Sequence, residues 1–191
     1  LTHSAGLPDF EHAHLVAFGS NRMPDLEATL AGYWRRVDSL AFEPGSLSVY
    51  QNWNFLVLAR LVEKVTGEEF TAYVRRNLFA PAGMKGAAYS TAELAGAPEA
   101  LAMVSAEELA ATEAKLAAGG LDMGGNVAYR SDGVAHLQPY DILPCWAGVK
   151  SPAADAALLG GLFVEGGRAS GTQVLEKSTV REMLRMQKST A

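Results

Sequence analysis

This chain has almost no cysteine. It also lacks an excess of positive charge and any long hydrophobic run. The single cysteine among 191 residues, Cys145, excludes an internal disulfide framework and a cysteine-rich zinc site. Lys and Arg total 16 against 21 Asp and Glu, for a net charge of −5, whereas a broad nucleic-acid-binding surface needs a basic surplus. The longest uncharged apolar stretches, such as residues 156–164, are far too short to cross a bilayer. We therefore predict no nucleic-acid partner and no membrane span.

Phosphate-binding and metal-binding motifs are also missing or incomplete. No Walker-type glycine–lysine loop occurs, and no dinucleotide-binding glycine motif follows a strand pattern. Asp9, Glu11, His12 and His14 lie close together, and a His-x-His pair can bind zinc when further ligands follow. No third histidine follows at a useful spacing, and His136 is remote. We interpret this cluster as a solvated loop and predict neither a metal nor a cofactor.

Helical periodicity dominates what the sequence does contain. Hydrophobic residues make up 49% and charged residues 19%, as expected for a folded globular chain. Apolar residues recur at three- and four-residue intervals, with matching capping residues, near 24–38, 52–66, 69–79, 105–117, 151–164 and 176–188, and more weakly at 91–96. Residues 127–130 and 134–138 flank a Ser-Asp-Gly turn and predict a small hairpin. The predicted fold class is mainly α, with one small β-hairpin.

Local signals set the expected ends of these helices. Gly67 should end the second helix, and Pro81 together with Gly83 should end the third. Ser151 and Pro152 should start the helix at 151, as a capping residue followed by a first-turn proline. The expected apolar face of the second helix consists of Phe55, Leu58, Ala59, Val62 and Val65, and Leu56 and Leu61 widen it.

Serine nucleophiles can be assessed from spacing. In one kind of serine hydrolase a lysine one helical turn after the serine takes its proton, but no serine here has lysine three residues later. Ser178 has Arg181 instead, and arginine is not a base at neutral pH. Residues 2–6 resemble a nucleophile elbow, yet its first glycine is replaced by Thr2. Residues 188–190 resemble a Lys-Thr-Gly motif without its glycine. We therefore expect this chain to hold no activated serine.

A Tyr-x-Asn motif is the remaining candidate for chemistry. Tyr50, Gln51 and Asn52 lie between a Pro-Gly turn and the start of the second helix. In an extended stretch, side chains two residues apart point the same way, so a tyrosine could exchange a proton while the amide donates a hydrogen bond. The motif also occurs by chance, and a tyrosine that precedes a helix often belongs to the core. The residues alone leave both interpretations open.

The order of several short sequence blocks along the chain favours the functional interpretation of the Tyr-x-Asn motif. They are LTHSAGLP (1–8), FEPG (42–45), YQN (50–52), EKVTG (63–67), PAGM (81–84), AGVKSPAAD (147–155) and GTQVL (171–175). In sequence and spacing they resemble the serine beta-lactamase family of the class C, penicillin-binding-protein-like type, which also contains D,D-peptidases and serine esterases. Ala5 and Ala82 depart from the residues usual there, serine and leucine.

The resemblance implies roles for particular residues. Tyr50 would carry protons to and from the nucleophilic serine and the leaving group, and Asn52 would hydrogen-bond the substrate amide or ester. Gln51 should point away from them. His3 is typical of the family and is interpreted as structural rather than catalytic. No metal ligand and no cofactor are implied.

The resemblance also implies an architecture and a context. Residues 1–191 would be a single helical region, the helical domain of a beta-lactamase/transpeptidase-like α/β fold. The Ser-x-x-Lys segment would lie upstream and the His-x-Gly or Lys-Thr-Gly segment downstream, so this chain would be an inactive fragment of a larger hydrolase. Any targeting segment would also lie upstream, which leaves the compartment open, with a periplasmic or secreted location compatible.

Two functions from different classes follow. The first is the helical part of a serine acyl-transfer hydrolase that acts on a small-molecule beta-lactam, D-Ala-D-Ala peptide or ester through an acyl-enzyme. The alternative is a non-catalytic helical binding or scaffold module of the same ancestry. If the chain is a helical half cut from its sheet, we expect exposed apolar surface on the helix that starts at Ser151 and on the last helix, covered by a homo-oligomer contact such as a dimer, by a crystal contact or by a domain exchange.

Overall fold

The computed structural model describes residues 2–10, 16–17, 25–94, 103–105, 107–111, 114, 127–131, 133–137 and 141–186. Helices account for about half of these residues, and short strands for a small part. The helical character expected from the periodicity is therefore confirmed in part: the described residues are about half helical, with few strands.

The first two helices form the first of two hydrophobic cores. Helix α1 comprises Leu26–Trp34, and helix α2 comprises Trp53–Thr66. The Asp25 side chain caps α1 by accepting the Ala28 N–H at 2.6 Å. The core consists of Leu30, Tyr33, Trp53, Leu56 and Leu143.

The buried face of α2 includes the predicted Leu56 and Ala59 but differs from the prediction at other positions. Trp53, Leu56 and Ala59 are buried, whereas Phe55 is 37% and Val65 75% exposed. The physical reason is that the residues of α2 that reach the first core lie in its first two turns, so its buried stripe runs through Trp53, the aromatic residue that begins the helix. Gly67 ends α2 as predicted, with a left-handed φ of 72°.

The third helical region is longer than the sequence indicates. Helix α3 (Phe70–Val74) continues through a π-helical turn (Arg75–Phe79) into the short helix α4 (Ala80–Ala82), and Gly83 ends it with φ 81°. The prediction that Pro81 ends the helix is wrong. A π turn is wider than an α turn, and it eases the clash of a proline ring with the carbonyl four residues earlier.

The second core lies where this region meets the first of two C-terminal helices and the hairpin that follows it. Helix α5 comprises Ala153–Val164, and helix α6 comprises Lys177–Leu184. Between them, β6 (Arg168–Ala169) and β7 (Thr172–Gln173) form a two-residue hairpin. The buried residues here are Phe79, Ala82, Met84, Tyr89, Leu162 and Ala169.

The predicted hairpin is present, and it belongs to a larger sheet. Strands β3 (Val127–Ser131) and β4 (Val134–Leu137) pair antiparallel, as predicted, and β2 (Met103–Ser105) adds a third strand against β4. A further antiparallel pair joins β1 (Val16–Ala17) to β5 (Asp141–Ile142). The sequence predicted neither β2, β1–β5 nor β6–β7, because their partners are distant or their strands are too short to show alternation.

The remaining helix predictions are confirmed in part. A 3₁₀ turn occupies Thr91–Leu94, where a weak helix was predicted, and residues 95–96 lie outside the described residues. The expected helix at 105–117 is helical at 107–111 and 114, and the rest of that prediction lies outside the described residues. Ser105 and Glu108 make the predicted reciprocal capping bonds.

Two predicted helix ends shift by a residue or more. Helix α5 begins after Pro152, which is its N-cap residue and makes no side-chain cap. Ser151 does not cap the helix, because its hydroxyl donates to the Pro152 carbonyl instead. Helix α6 ends at Leu184, and residues 187–188 of the predicted range lie outside the described residues. No helix in the described ranges is long and apolar enough to cross a membrane.

Candidate active site

An N-terminal strap, defined as residues 2–10, holds the segment in which the Tyr-x-Asn motif lies. Its main-chain carbonyls accept hydrogen bonds from residues between 33 and 53. The donors and acceptors are Ser48 Oγ to Thr2, Val49 N to His3, Gly45 N to Ser4, Ala41 N to Gly6, Gln51 Nε2 to Leu7, Tyr33 OH to Pro8 and Trp53 Nε1 to Phe10. Because carbonyls of the strap do most of the bonding, its path depends on backbone shape more than on side-chain identity.

Gly6 allows the closest approach in the strap. Its φ is 72°, and a Cβ at this position would lie 2.2 Å from the Phe42 carbonyl oxygen. No side chain fits there without displacing the backbone. Gly6 therefore lets the strap lie directly on the segment that leads to the Tyr-x-Asn motif.

The three residues of the motif point in the directions expected from the sequence. Gln51 is 4% exposed, and its Nε2 donates to the Leu7 carbonyl at 3.3 Å. Its Oε1 has no hydrogen-bond partner among the described residues. Tyr50 is 66% exposed, and Asn52 is half-buried. The buried glutamine thus anchors the motif, while its two neighbours stay on the outer side.

Tyr50 and Asn52 are in direct contact. The Tyr50 hydroxyl donates a hydrogen bond to Asn52 Oδ1 at 3.0 Å. Asn52 is the N-cap residue of α2, but its backbone is helical, with φ −64° and ψ −36°, and its side chain makes no capping bond. Its amide N–H groups also have no acceptor among the described residues. The pair therefore presents a hydroxyl oxygen and an amide donor side by side at one open edge.

His3 contacts the motif through its imidazole ring. Its backbone has a left-handed φ of 55°, and its Nδ1 accepts the Gln51 N–H at 3.1 Å. Nδ1 also lies 3.1 Å from Asn54 Nδ2. Because a backbone N–H can only donate, the proton of the neutral imidazole is on Nε2. The centroid of the His3 ring lies 4.6 Å from the centroid of the Tyr50 ring and 5.2 Å from that of the Phe55 ring. No feature of the sequence indicates that Asn54 and Phe55 contact His3, because only the fold brings these residues together.

A separate cavity of about 370 Å³ lies between α1, α2, α3 and residues 143–145, and the motif does not line it. Arg60 bridges two of its carboxylates, Glu27 at 2.7 Å and Glu63 at 2.9 Å. Burial raises the pKa of the Cys145 thiol, which also lines this cavity, to about 12. A thiol of that pKa is protonated at neutral pH, so Cys145 does not serve as a nucleophile there.

The metal hypothesis gains no support from the described residues, in which no three potential ligands lie together. Residues 11–15, which include Glu11, His12 and His14 of the acidic and histidine cluster, lie outside the described residues. His136 lies in β4, on the sheet with β2 and β3.

Comparison with known proteins places this chain in a family. The sequence model of the Beta-lactamase family matches residues 1–190, and the chain belongs to this family. A D-aminopeptidase from Brucella anthropi is 36% identical over 83 residues, which cover 44% of this chain and 16% of that protein.

Solved structures share the fold. The octameric penicillin-binding protein homologue from Pyrococcus abyssi matches with a TM-score of 0.69 and 21% identity, over 97% of this chain and 37% of its own. The D-amino acid amidase from Ochrobactrum anthropi SV3, solved with L-phenylalanine amide, matches with a TM-score of 0.63 and 21% identity, over 95% of this chain and 46% of its own. This chain therefore spans less than half the length of either structure.

Proposed function

We propose that this chain is the mainly helical part of a serine acyl-transfer hydrolase, in which it supplies the Tyr-x-Asn motif. The observation that carries the proposal is the hydrogen bond from Tyr50 to Asn52 at an exposed edge, in a chain that belongs to the Beta-lactamase family. A core tyrosine would be buried, whereas Tyr50 is 66% exposed although it lies directly before a buried glutamine.

Tyr50 has the chemistry of a proton carrier in this proposal. A serine oxygen attacks the substrate carbonyl and gives up its proton, and the leaving nitrogen or oxygen takes up a proton when the acyl-enzyme forms. A phenol can relay both protons when a nearby cation favours its phenolate form. In the proposed enzyme the lysine of a Ser-x-x-Lys segment, outside residues 1–191, supplies that cation together with the serine.

Asn52 has the chemistry of a substrate-binding group. Its Oδ1 accepts the Tyr50 hydroxyl, so its Nδ2 is left to donate to a substrate carbonyl. While Tyr50 carries its proton, one side chain thereby orients both the proton carrier and the scissile group. No helix N–H competes for the Asn52 side chain, because the helical backbone of Asn52 does not allow a capping bond.

The substrate class follows from the family and its relatives. We propose a small-molecule amide or ester: a beta-lactam, a D-Ala-D-Ala peptide or a D-amino acid amide. The similarity to a D-aminopeptidase and to a D-amino acid amidase supports the D-amino acid amide most directly. The proposed acyl transfer needs no cofactor.

The test compares the 191-residue chain with a longer protein that includes the flanking coding sequence. Both are incubated with a chromogenic cephalosporin, a D-phenylalanine nitroanilide, a nitrophenyl ester and a serine-reactive phosphonate. We expect turnover and a stoichiometric adduct only for the longer protein, with the adduct on a serine outside residues 1–191. Tyr50→Phe should lower its kcat by about a hundredfold or more, as loss of general acid–base catalysis does. Tyr73→Phe, which removes a hydroxyl elsewhere, is the matched control.

Two outcomes would overturn the proposal. Turnover by the 191-residue chain that Tyr50→Phe abolishes would show that the chain is not a fragment of the catalytic unit. A longer protein without any adduct or turnover would favour the non-catalytic binding or scaffold module.

A further inference from the structure

We infer that His3 is a positioning residue for Tyr50, and that it acts through the hydrogen bond from the Gln51 N–H to His3 Nδ1. The inference rests on the proposed role of Tyr50 and adds a second residue to the same site. Its basis is the set of contacts that His3, in the N-terminal strap, makes with the motif.

His3 contacts three parts of the motif region at once. Its Nδ1 accepts the Gln51 backbone N–H at 3.1 Å, and its ring lies 4.6 Å from the Tyr50 ring. Its carbonyl accepts the Val49 N–H at 3.0 Å. The residues on both sides of Tyr50 are therefore tied to the same histidine, and the phenol ring rests on its imidazole. Rotation of Tyr50 away from Asn52 would break this contact.

The backbone of His3 is adapted to this role. A φ of 55° is uncommon for residues other than glycine, although histidine and asparagine adopt it more readily than most others. In this conformation the His3 carbonyl and His3 Nδ1 both accept hydrogen bonds from the same segment, residues 49–51. Asparagine could reproduce both features, because its Oδ1 lies about where histidine has Nδ1 and because it tolerates a positive φ.

The hydrogen bond to His3 Nδ1 satisfies a backbone donor at the start of α2. The first N–H groups at a helix start have no partner within the helix, and the Gln51 N–H lies just ahead of α2. Asn52 satisfies none of these donors with its side chain, because its backbone is helical, and its Oδ1 accepts the Tyr50 hydroxyl. His3 satisfies the neighbouring donor from outside the helix, which leaves Asn52 to face the proposed substrate.

The experiment compares His3→Gly with His3→Asn. Glycine accepts a φ of 55° without strain and removes the acceptor, whereas asparagine keeps an acceptor in place. In the 191-residue chain, hydrogen exchange of the Gln51 amide should accelerate at least tenfold in His3→Gly and stay within threefold of the parent in His3→Asn. Ser48→Ala, which removes the hydroxyl bond to the Thr2 carbonyl, is the control and should leave Gln51 exchange unchanged.

The same variants are measured in the longer, active protein, with active sites counted by phosphonate adduct. His3→Gly should lower kcat at least tenfold with KM changed less than twofold, and His3→Asn should restore kcat to within threefold. Unchanged kcat per active site in His3→Gly, with Tyr50→Phe inactive, would overturn the positioning role and leave the proposed function standing. Unchanged kcat in Tyr50→Phe would overturn the proposed function itself.

The His3→Asn variant decides the matter even where His3→Gly does not fold. A tenfold or larger loss of kcat in folded His3→Asn, with Gln51 exchange still slow, would show that the acceptor is not what positions Tyr50. Retained kcat with slow Gln51 exchange is the expected result.

Discussion

The carboxylate of Asp155, in the first turn of α5, accepts the backbone N–H of Gly86 at 2.7 Å, although 69 residues separate them. The contact is tight, because a Cβ on Gly86 would lie 2.7 Å from Cγ of Pro152. This bond joins the loop after α4 to the start of α5. It therefore closes the second hydrophobic core at one end.

We expect Asp155→Ala to destabilise the protein by about 2 kcal/mol, because it removes a hydrogen bond to a charged group and leaves a part-buried N–H without an acceptor. Urea unfolding followed by circular dichroism measures the change. Ser151→Ala, an exposed change one turn earlier, is the control and should alter the free energy of unfolding by less than about 0.5 kcal/mol. Equal effects of the two variants would contradict the role of Asp155.

A second prediction concerns the fit of the N-terminal strap. Gly6→Ala should cost well over 1 kcal/mol, because the new Cβ would meet the Phe42 carbonyl oxygen at 2.2 Å and φ is 72°. Gly45→Ala shares the positive φ, at 83°, but meets nothing within 4 Å, so it should show only the cost of backbone strain, about 1 kcal/mol. Thermal unfolding of the two variants separates steric clash from strain. A Gly6→Ala variant as stable as Gly45→Ala would show that the strap can shift.

Stability should also fall in alkaline solution. Burial raises the pKa of the Cys145 thiol from 9.0 to about 12, and it raises the pKa of the Tyr33 and Tyr89 hydroxyls from 10.0 to about 12. Their contribution to stability is complete below about pH 9, where folded and unfolded states are both protonated. Above that pH the unfolded chain loses protons that the folded state retains, so stability declines up to about pH 12.

Urea unfolding at a series of pH values from 8 to 11 measures this decline, and Cys145→Ser should make it shallower. Alkylation by iodoacetamide at pH 8, followed by intact mass, should be slow in the folded chain and fast in urea. Rapid alkylation of the folded chain would contradict a protonated thiol at Cys145.

Self-association is the fourth prediction. Exposed apolar side chains occur at the end of α5 and along α6, where Val164 is 84%, Met183 54% and Leu184 62% exposed. We expect the 191-residue chain to form dimers or larger species as concentration rises, because contiguous apolar surface favours association. Sedimentation velocity measures this, and Met183→Lys with Leu184→Lys should shift the distribution toward monomer. A chain that stays monomeric at millimolar concentration would contradict the prediction.

Local patterns account for what the sequence predicted well. The start of α2 after Asn52, its end at Gly67 and the hairpin around Gly133 each depend on residues within a few positions of one another. The inward side chain of Gln51 also follows from alternation across three residues.

Contacts between distant residues could not be predicted. Nothing near Val16 indicates that it pairs with Ile142, and nothing near His3 indicates that its ring lies against Tyr50. The π turn that carries the third helix past Pro81 was missed for a related reason, since one extra residue in a turn leaves the apolar spacing almost unchanged. The family resemblance placed Tyr50 and Asn52 together, but the geometry that leaves Asn52 uncapped emerges only from the fold.

The path of the N-terminal strap has a practical consequence for work with this protein. The Ser48 hydroxyl donates to the Thr2 carbonyl, so residue 2 lies beside the segment that carries Tyr50, two positions further along. A purification tag fused ahead of Leu1 would leave the protein at this edge, where it could cover the tyrosine and the asparagine. Binding measurements on the Tyr-x-Asn motif should therefore be made after such a tag has been cleaved.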